Sequence, residues 1–148
     1  KGIDMIVGMT SGCFDLFHHS HLLFLERCKA RCNKLIVGVD SDELVRRTKG
    51  PGRPIHDEVH RFNLINSLEM VNITFILNDL TDLTKLAFIF NVNEVYKCEV
   101  WKDRHPVYGT EKAKLVIIPD IPGMISTSTI IDKIKKGEVP VVTREDLK

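Results

Sequence analysis

The run Lys34-Leu-Ile-Val-Gly-Val-Asp40 is apolar from Leu35 to Val39 without alternation. A strand with one wet face alternates apolar and polar residues. An unbroken aliphatic run suits a strand buried on both faces, the condition of a parallel sheet covered by helices. Comparable strand-sized segments span Asp4 to Thr10 (ending in Ser11-Gly12), Asn72 to Leu77, Glu94 to Cys98 and Lys114 to Pro119. Helical patterns separate them. From His21 to Cys32, Leu22, Phe24, Leu25, Cys28 and Cys32 share one side, while Glu26, Arg27, Lys29 and Arg31 fall mostly elsewhere, and Asn33 is placed to cap the end. A breaker-rich loop then runs through Lys49-Gly-Pro-Gly-Arg-Pro54. Asp57 can cap a helix reaching about Glu69, with Val59, Phe62, Ile65 and Leu68 inward. Two further helices are expected over Asp82 to Phe90 and Thr127 to Lys136. Gly137 stops the last one, and Lys133, Lys135 and Lys136 favour its C-terminal dipole.

Five strands alternating with helices predict an α/β fold: a Rossmann-like, doubly wound, parallel five-stranded sheet with helices on both faces. The chain of 148 residues suits one core, with residues 1–137 as the domain and 138–148, containing Pro140, as an irregular tail. Ligands of such sheets bind beyond the carboxyl ends of the strands, where strand order reverses. The chemistry is therefore expected in the loops after Thr10, Asp40, Cys98 and Pro119.

Charge narrows the partners. Lys plus Arg is 21 and Asp plus Glu is 20, a net +1. That balance gives no broad field for nucleic acid or a membrane surface, so a bound anion must be held by a local arrangement. No apolar run approaches the roughly 18 residues of a membrane span, and Lys1 is followed by Asp4 rather than by the apolar core of a signal peptide. Cys13, Cys28, Cys32 and Cys98 have no disulfide spacing, which suits a reducing, cytoplasmic setting. Cys28 and Cys32 lie near His18 and His21, but the buried face of a helix accounts for both thiols, so no metal site is assigned.

The most informative stretch is Ser11-Gly-Cys-Phe-Asp-Leu-Phe-His-His-Ser-His21. Gly12 permits a tight turn after the first strand. His18 and His21 are three apart at the start of a helix, on one face. Free N–H groups and the helix dipole favour an anion there, and two imidazoles add donors at the same spot. On spacing alone the pair is either a polyphosphate cradle or an ordinary histidine cluster.

Gly12-x-Phe14-Asp15-x-x-His18-x-x-His21 resembles the G-x-F-D-x-x-H-x-G-H signature of the cytidylyltransferase-like nucleotidyltransferases, with Ser20 in place of the glycine. Three more segments match in order. Val45 to Ile55, followed by Arg61, resembles the nucleotidyltransferase domain of heptose-phosphate adenylyltransferases. Ser67 to Asn72 is similar to that subgroup's segment before the third strand. Pro122-Gly-Met-Ile-Ser-Thr-Ser-Thr129 resembles the closing motif, R-T-x-G-I-S-T-S or P-G-R-S-T-T. The likeness spans about Met5 to Lys136.

The resemblance implies roles. His18 and His21 would donate to the reacting and leaving phosphates. Lys49 would neutralise phosphate from a loop able to close, and Thr127 would act with Ser126 and Ser128 at a second anion site on the last helix. Gly12, Cys13 and Phe14 would line the nucleotide site. Asp15 would hold the loop or touch the nucleotide, Arg61 would support the cationic cluster, and Glu99 and Trp101 would stand on the nucleotide side. The resemblance also implies Mg2+ accompanying the triphosphate, with no protein ligand cluster of its own, and a homodimer.

Two departures stand out. Lys97-Cys-Glu-Val-Trp101 keeps the lysine and tryptophan of the stretch after the fourth strand but loses its glycines. Met124 and Ile125 occupy the place of the closing-motif arginine. Lys102, Arg104 and His105 are candidates to replace it.

The leading expectation is an enzyme joining an NTP, ATP by the closest subgroup, to a sugar phosphate such as heptose 1-phosphate. The runner-up uses CTP with glycerol 3-phosphate or a similar phosphate, because Ile125-Ser-Thr-Ser128 copies the cytidylyltransferase motif. A non-catalytic nucleotide binder is a reading of another class, resting on Ser20, the missing arginine and the lost glycines.

Overall fold

The computed structural model describes residues 4–137. The expected tail, 138–148, lies outside the described residues. Five strands form one sheet: β1 (Val7–Gly12), β2 (Lys34–Asp40), β3 (Ile73–Leu77), β4 (Glu94–Cys98) and β5 (Lys114–Ile118). All pairings are parallel and the order is β3-β2-β1-β4-β5. Strand order therefore reverses at β1, which lies between β2 and β4. The helices are α1 (His19–Ala30), α2 (Asp42–Lys49), α3 (Glu58–Asn66), α4 (Asp82–Ile89) and α5 (Thr127–Lys135), with a short 3-10 turn over Glu99–Trp101.

The unbroken apolar run of β2 does what its sequence requires. Leu35 through Val39 are buried, and alternate side chains feed opposite layers. Ile36 joins Met9, Leu44 of α2, and Leu83 and Ala87 of α4. Leu35, Val37 and Val39 join Leu25 and Cys28 of α1 and Ile65 of α3. This is the expected doubly wound sheet.

Several local expectations change. The segment 42–49, expected as loop, is α2: Ser41 caps it by accepting from Leu44 N, Leu44 and Val45 are buried, and Gly50 ends it at φ +100°. Ser41, the acidic first turn, the basic last turn and Gly50 mark this short helix in the sequence, and Leu44 and Val45 anchor it in the core. Strand β1 starts later than expected and runs through Ser11 and Gly12, which pair with Gly38 and Val39. Arg31 rather than Asn33 caps α1, while Asn33 Oδ1 accepts from Ile6 N just before β1, at the amino end of the sheet. Val59 points outward, 63 % exposed, because the inner face of α3 is taken by Arg61 and Ile65. Asp57 does cap α3, accepting from His60 N.

Candidate active site

Beyond the carboxyl ends of β1, β4 and β5 lies a cleft of about 560 Å³, within the usual range for small-molecule sites. One wall is the turn between β1 and α1. Phe14 and Leu16 sit there at φ +53° and +48°, in left-handed conformations that cost bulky side chains energy and persist only where neighbours hold them. Asp15 supplies the hold. It is buried, and its carboxylate accepts from Leu16 N, Ile55 N and His56 N, tying the turn to the segment after α2. Of the two roles open to Asp15, the geometry shows the loop-holding one. Gly12 has no positive φ; a Cβ there would meet the Phe14 ring at 3.2 Å, so the residue is needed for close approach rather than for turning.

His18 is the N-cap of α1, and its backbone N–H donates to His21 Nδ1 at 3.2 Å. That bond leaves the neutral His21 ring with its proton on Nε2. The two imidazoles stack with centroids 3.8 Å apart, and Phe17 and Phe14 flank His21. Burial among these rings, with His18 and Lys49 nearby, pushes His21 down to about 3. Burial also lowers His18. Both are therefore neutral near pH 7 while no anion is bound.

The opposite wall is the start of α5. Ser126 caps the helix by accepting from Thr129 N, and Thr127 and Ser128 line the cleft in its first turn. Thr127 donates its hydroxyl proton to Asp15 O (2.9 Å) and lies 3.3 Å from His18 Nε2. A hydroxyl has one proton, so His18 Nε2–H is the donor in the second bond. Two helix N-termini thus face one space, joined through Asp15, His18 and Thr127. Ser20 adds a second link, donating to Ile125 O at 2.8 Å.

The cations divide by role. Lys49 lines the cleft, but from the C-terminal end of α2 rather than from a glycine-flanked loop. Arg61 does not line it. It is 1 % exposed and donates to His56 O, Cys13 O, Asp40 O and Asp42 Oδ1, stapling the ends of β1 and β2 to α3. Glu99 also lies off the wall, where it accepts from Asp120 N. Gly12, Cys13, Phe14, Ser20 and Trp101 do line the cleft. Lys102, Arg104 and His105 are exposed and outside it. The guanidinium groups that reach the cleft are Arg27 and Arg53; Arg53 lies within the matching segment Val45 to Ile55, whereas Arg27 lies in none of the matching motifs. Arg27 was hidden because it reads as an outer-face helix residue.

The floor carries Lys97. Its Nζ donates to Ser11 Oγ at 2.8 Å and lies 4.7 Å from the Trp101 ring centroid. Burial lowers its affinity for a proton, partly offset by Asp40. Burial raises Asp40, opposed by Lys97, Lys49 and Arg61. Phe24, Ile118, Pro119, Met124 and Ile125 make another part of the lining apolar. Among the described residues no three His, Cys, Asp or Glu side chains group to hold a metal ion, and no helix is long and apolar enough to cross a membrane.

A doubly wound sheet with a cationic, helix-capped cleft at its reversal point defines a nucleotide-binding class of α/β protein. Within that class the chain belongs to the cytidylyltransferase-like family, whose profile matches residues 9–133. It is 34% identical over 135 residues to a bifunctional protein HldE of Campylobacter jejuni, covering 91% of this chain and 29% of that protein. It is 30% identical over 135 residues to one of Rhodopseudomonas palustris, covering 89% and 27%. The chain thus spans under a third of these curated relatives. The structure is similar to that of a lipopolysaccharide core biosynthesis protein from Thermoplasma volcanium, with TM-score 0.62, 24% identity, and 80% and 98% of the two chains covered. Family and relatives bear out the expectation of a nucleotidyltransferase enzyme.

Proposed function

We propose that this domain transfers a nucleoside monophosphate, from ATP by preference, to a sugar phosphate such as heptose 1-phosphate, releasing pyrophosphate and forming a nucleotide sugar. The observation that carries the reading is the pair of capped helix N-termini facing one cleft, with His18, His21 and Thr127 between them and Lys49 beside them. An oxygen of the acceptor phosphate attacks the α-phosphorus. The bond to the bridging oxygen breaks, and pyrophosphate leaves with that electron pair. The nucleophile is already an anion, so no activated serine or cysteine is required. Catalysis then reduces to placing two anions in line and stabilising developing charge. His18, His21 and the first-turn amides of α1 serve the triphosphate; Lys49, the first-turn amides of α5 and the Ser128 hydroxyl serve the adjoining phosphates, while Thr127 holds His18 in place. Mg2+ is part of the triphosphate substrate, as expected for triphosphate chemistry. A cytoplasmic homodimer completes this reading.

A second reading uses CTP and glycerol 3-phosphate or a similar acceptor. It is favoured by Ile125-Ser-Thr-Ser128, which keeps the cytidylyltransferase order at the cap of α5. Pyrophosphate release should be measured with Mg2+, each of the four triphosphates and a panel of sugar and polyol phosphates. One pair should turn over, and His18→Ala and His21→Ala should abolish it. Tight triphosphate binding without turnover for any acceptor points instead to a non-catalytic binder.

A further inference from the structure

Two arginines of this chain present the same edge of the guanidinium to different surroundings. Arg31 uses Nε and Nη2 side by side on Glu94, at 3.2 and 3.0 Å to the two carboxylate oxygens. This is the bidentate arrangement that a planar fork makes with an oxyanion. In Arg53 the same two nitrogens, Nε and Nη2, are buried and have no hydrogen-bond partner among the described residues. Its side chain is 16 % exposed and lines the cleft together with Lys49, His18 and His21.

The neighbouring carboxylate does not satisfy this edge. Asp15 Oδ2 lies 3.7 Å from Arg53 Nε, within ion-pair range but too far for a hydrogen bond. Asp15 Oδ1 accepts from Leu16 N and His56 N and Oδ2 from Ile55 N, so the carboxylate is held by backbone amides at a distance from Arg53 that leaves the Nε/Nη2 edge without a hydrogen bond. Arg61, only eight positions on, shows the contrast, since its donors are spent on three carbonyls and Asp42. Buried donors left unpaired are costly, and an adjacent pair of them fits two oxygens of one tetrahedral anion.

We infer that Arg53 is a phosphate-binding residue of the cleft, using its Nε/Nη2 edge on a terminal phosphate. It supplies the guanidinium contact that Met124 and Ile125 cannot. The inference rests on the proposed nucleotidyl transfer for the source of that phosphate: the pyrophosphate portion of the triphosphate, or the acceptor's phosphate. Both have the same chemistry.

Calorimetric titration separates the sources without turnover. Inorganic pyrophosphate is added to the free protein, and orthophosphate to protein saturated with a non-hydrolysable α,β-methylene ATP. Arg53→Gln should weaken binding roughly ten- to hundredfold in one arm, as expected for losing charged hydrogen bonds. Loss in the pyrophosphate arm places Arg53 on the leaving phosphates; loss in the orthophosphate arm places it on the acceptor. Arg53→Lys keeps the charge beside Asp15 without the planar edge, and it should show a smaller loss in the same arm at an unchanged melting temperature. If both variants bind like wild type while His21→Ala loses pyrophosphate, Arg53 is no ligand and the cleft reading survives. If wild type binds neither anion, the cleft reading fails and the inference with it.

Discussion

His18 Nε2 lies 3.3 Å from Thr127 Oγ1, joining the first turn of α1 to that of α5 across 109 positions of sequence. The threonine also donates to Asp15 O, so one buried hydroxyl serves both bonds. Thr127→Val keeps the shape and removes both. It should destabilise the fold by about 1–3 kcal/mol, the cost of leaving buried polar partners unmatched, and lower kcat by freeing the His18 ring. Thr127→Ser should recover most of each loss. Thermal unfolding and steady-state pyrophosphate release check the pair.

Arg61 is a staple, and its variant should behave as one. Arg61→Ala removes the buried donor of three carbonyls and of the partly buried Asp42 carboxylate. A loss of about 3–5 kcal/mol is expected, the range for breaking a buried charged network. Arg61→Lys cannot reach all four partners and should recover only part of the loss. Denaturant titration should show the drop in midpoint. At low temperature, the folded fraction of Arg61→Lys should bind pyrophosphate with near wild-type affinity.

The sheet was legible because its signal is local: β2 declares burial on both faces in five consecutive residues, and the turn after β1 carries a dense motif. What escaped depends on partners distant in sequence. Helix α2 carries end signals in Ser41 and Gly50, but at eight residues its place against the sheet depends on the core that Leu44 joins. Arg53 and Arg61 are alike as letters. Only the carbonyls around one and the buried, unpaired nitrogens of the other tell them apart. Val59 had the right spacing for an inner face, but the sequence does not show that a buried arginine takes that place.

Ser20 stands where the family signature has glycine, and its hydroxyl bonds Ile125 O. Ser20→Gly removes that link between α1 and the segment leading into α5. Amide hydrogen exchange over residues 121–126 should quicken. Global stability should fall by only about 1 kcal/mol, the sum expected from one exposed hydrogen bond and a helical glycine. Unchanged exchange in that segment would mean that other contacts hold it.

His21 gives the pH dependence a definite sign. Burial first, then His18 and Lys49, holds it near 3 in the folded protein, against an ordinary value of 6.5. Between those values the unfolded chain binds a proton that the folded one does not, so stability rises with pH. The contribution is fully present above about pH 6.5 and is lost as pH falls towards 3. The melting temperature should therefore climb from pH 4 to 6.5 more steeply in wild type than in His21→Asn, and the two slopes should converge above pH 7. An anion in the cleft reverses the balance, because it favours the charged ring. Pyrophosphate binding should then take up protons, with calorimetric enthalpies that vary with the ionisation heat of the buffer, and affinity should improve from pH 8 to 6. Equal slopes in the two proteins, or binding enthalpies independent of buffer, would remove His21 as the titrating group.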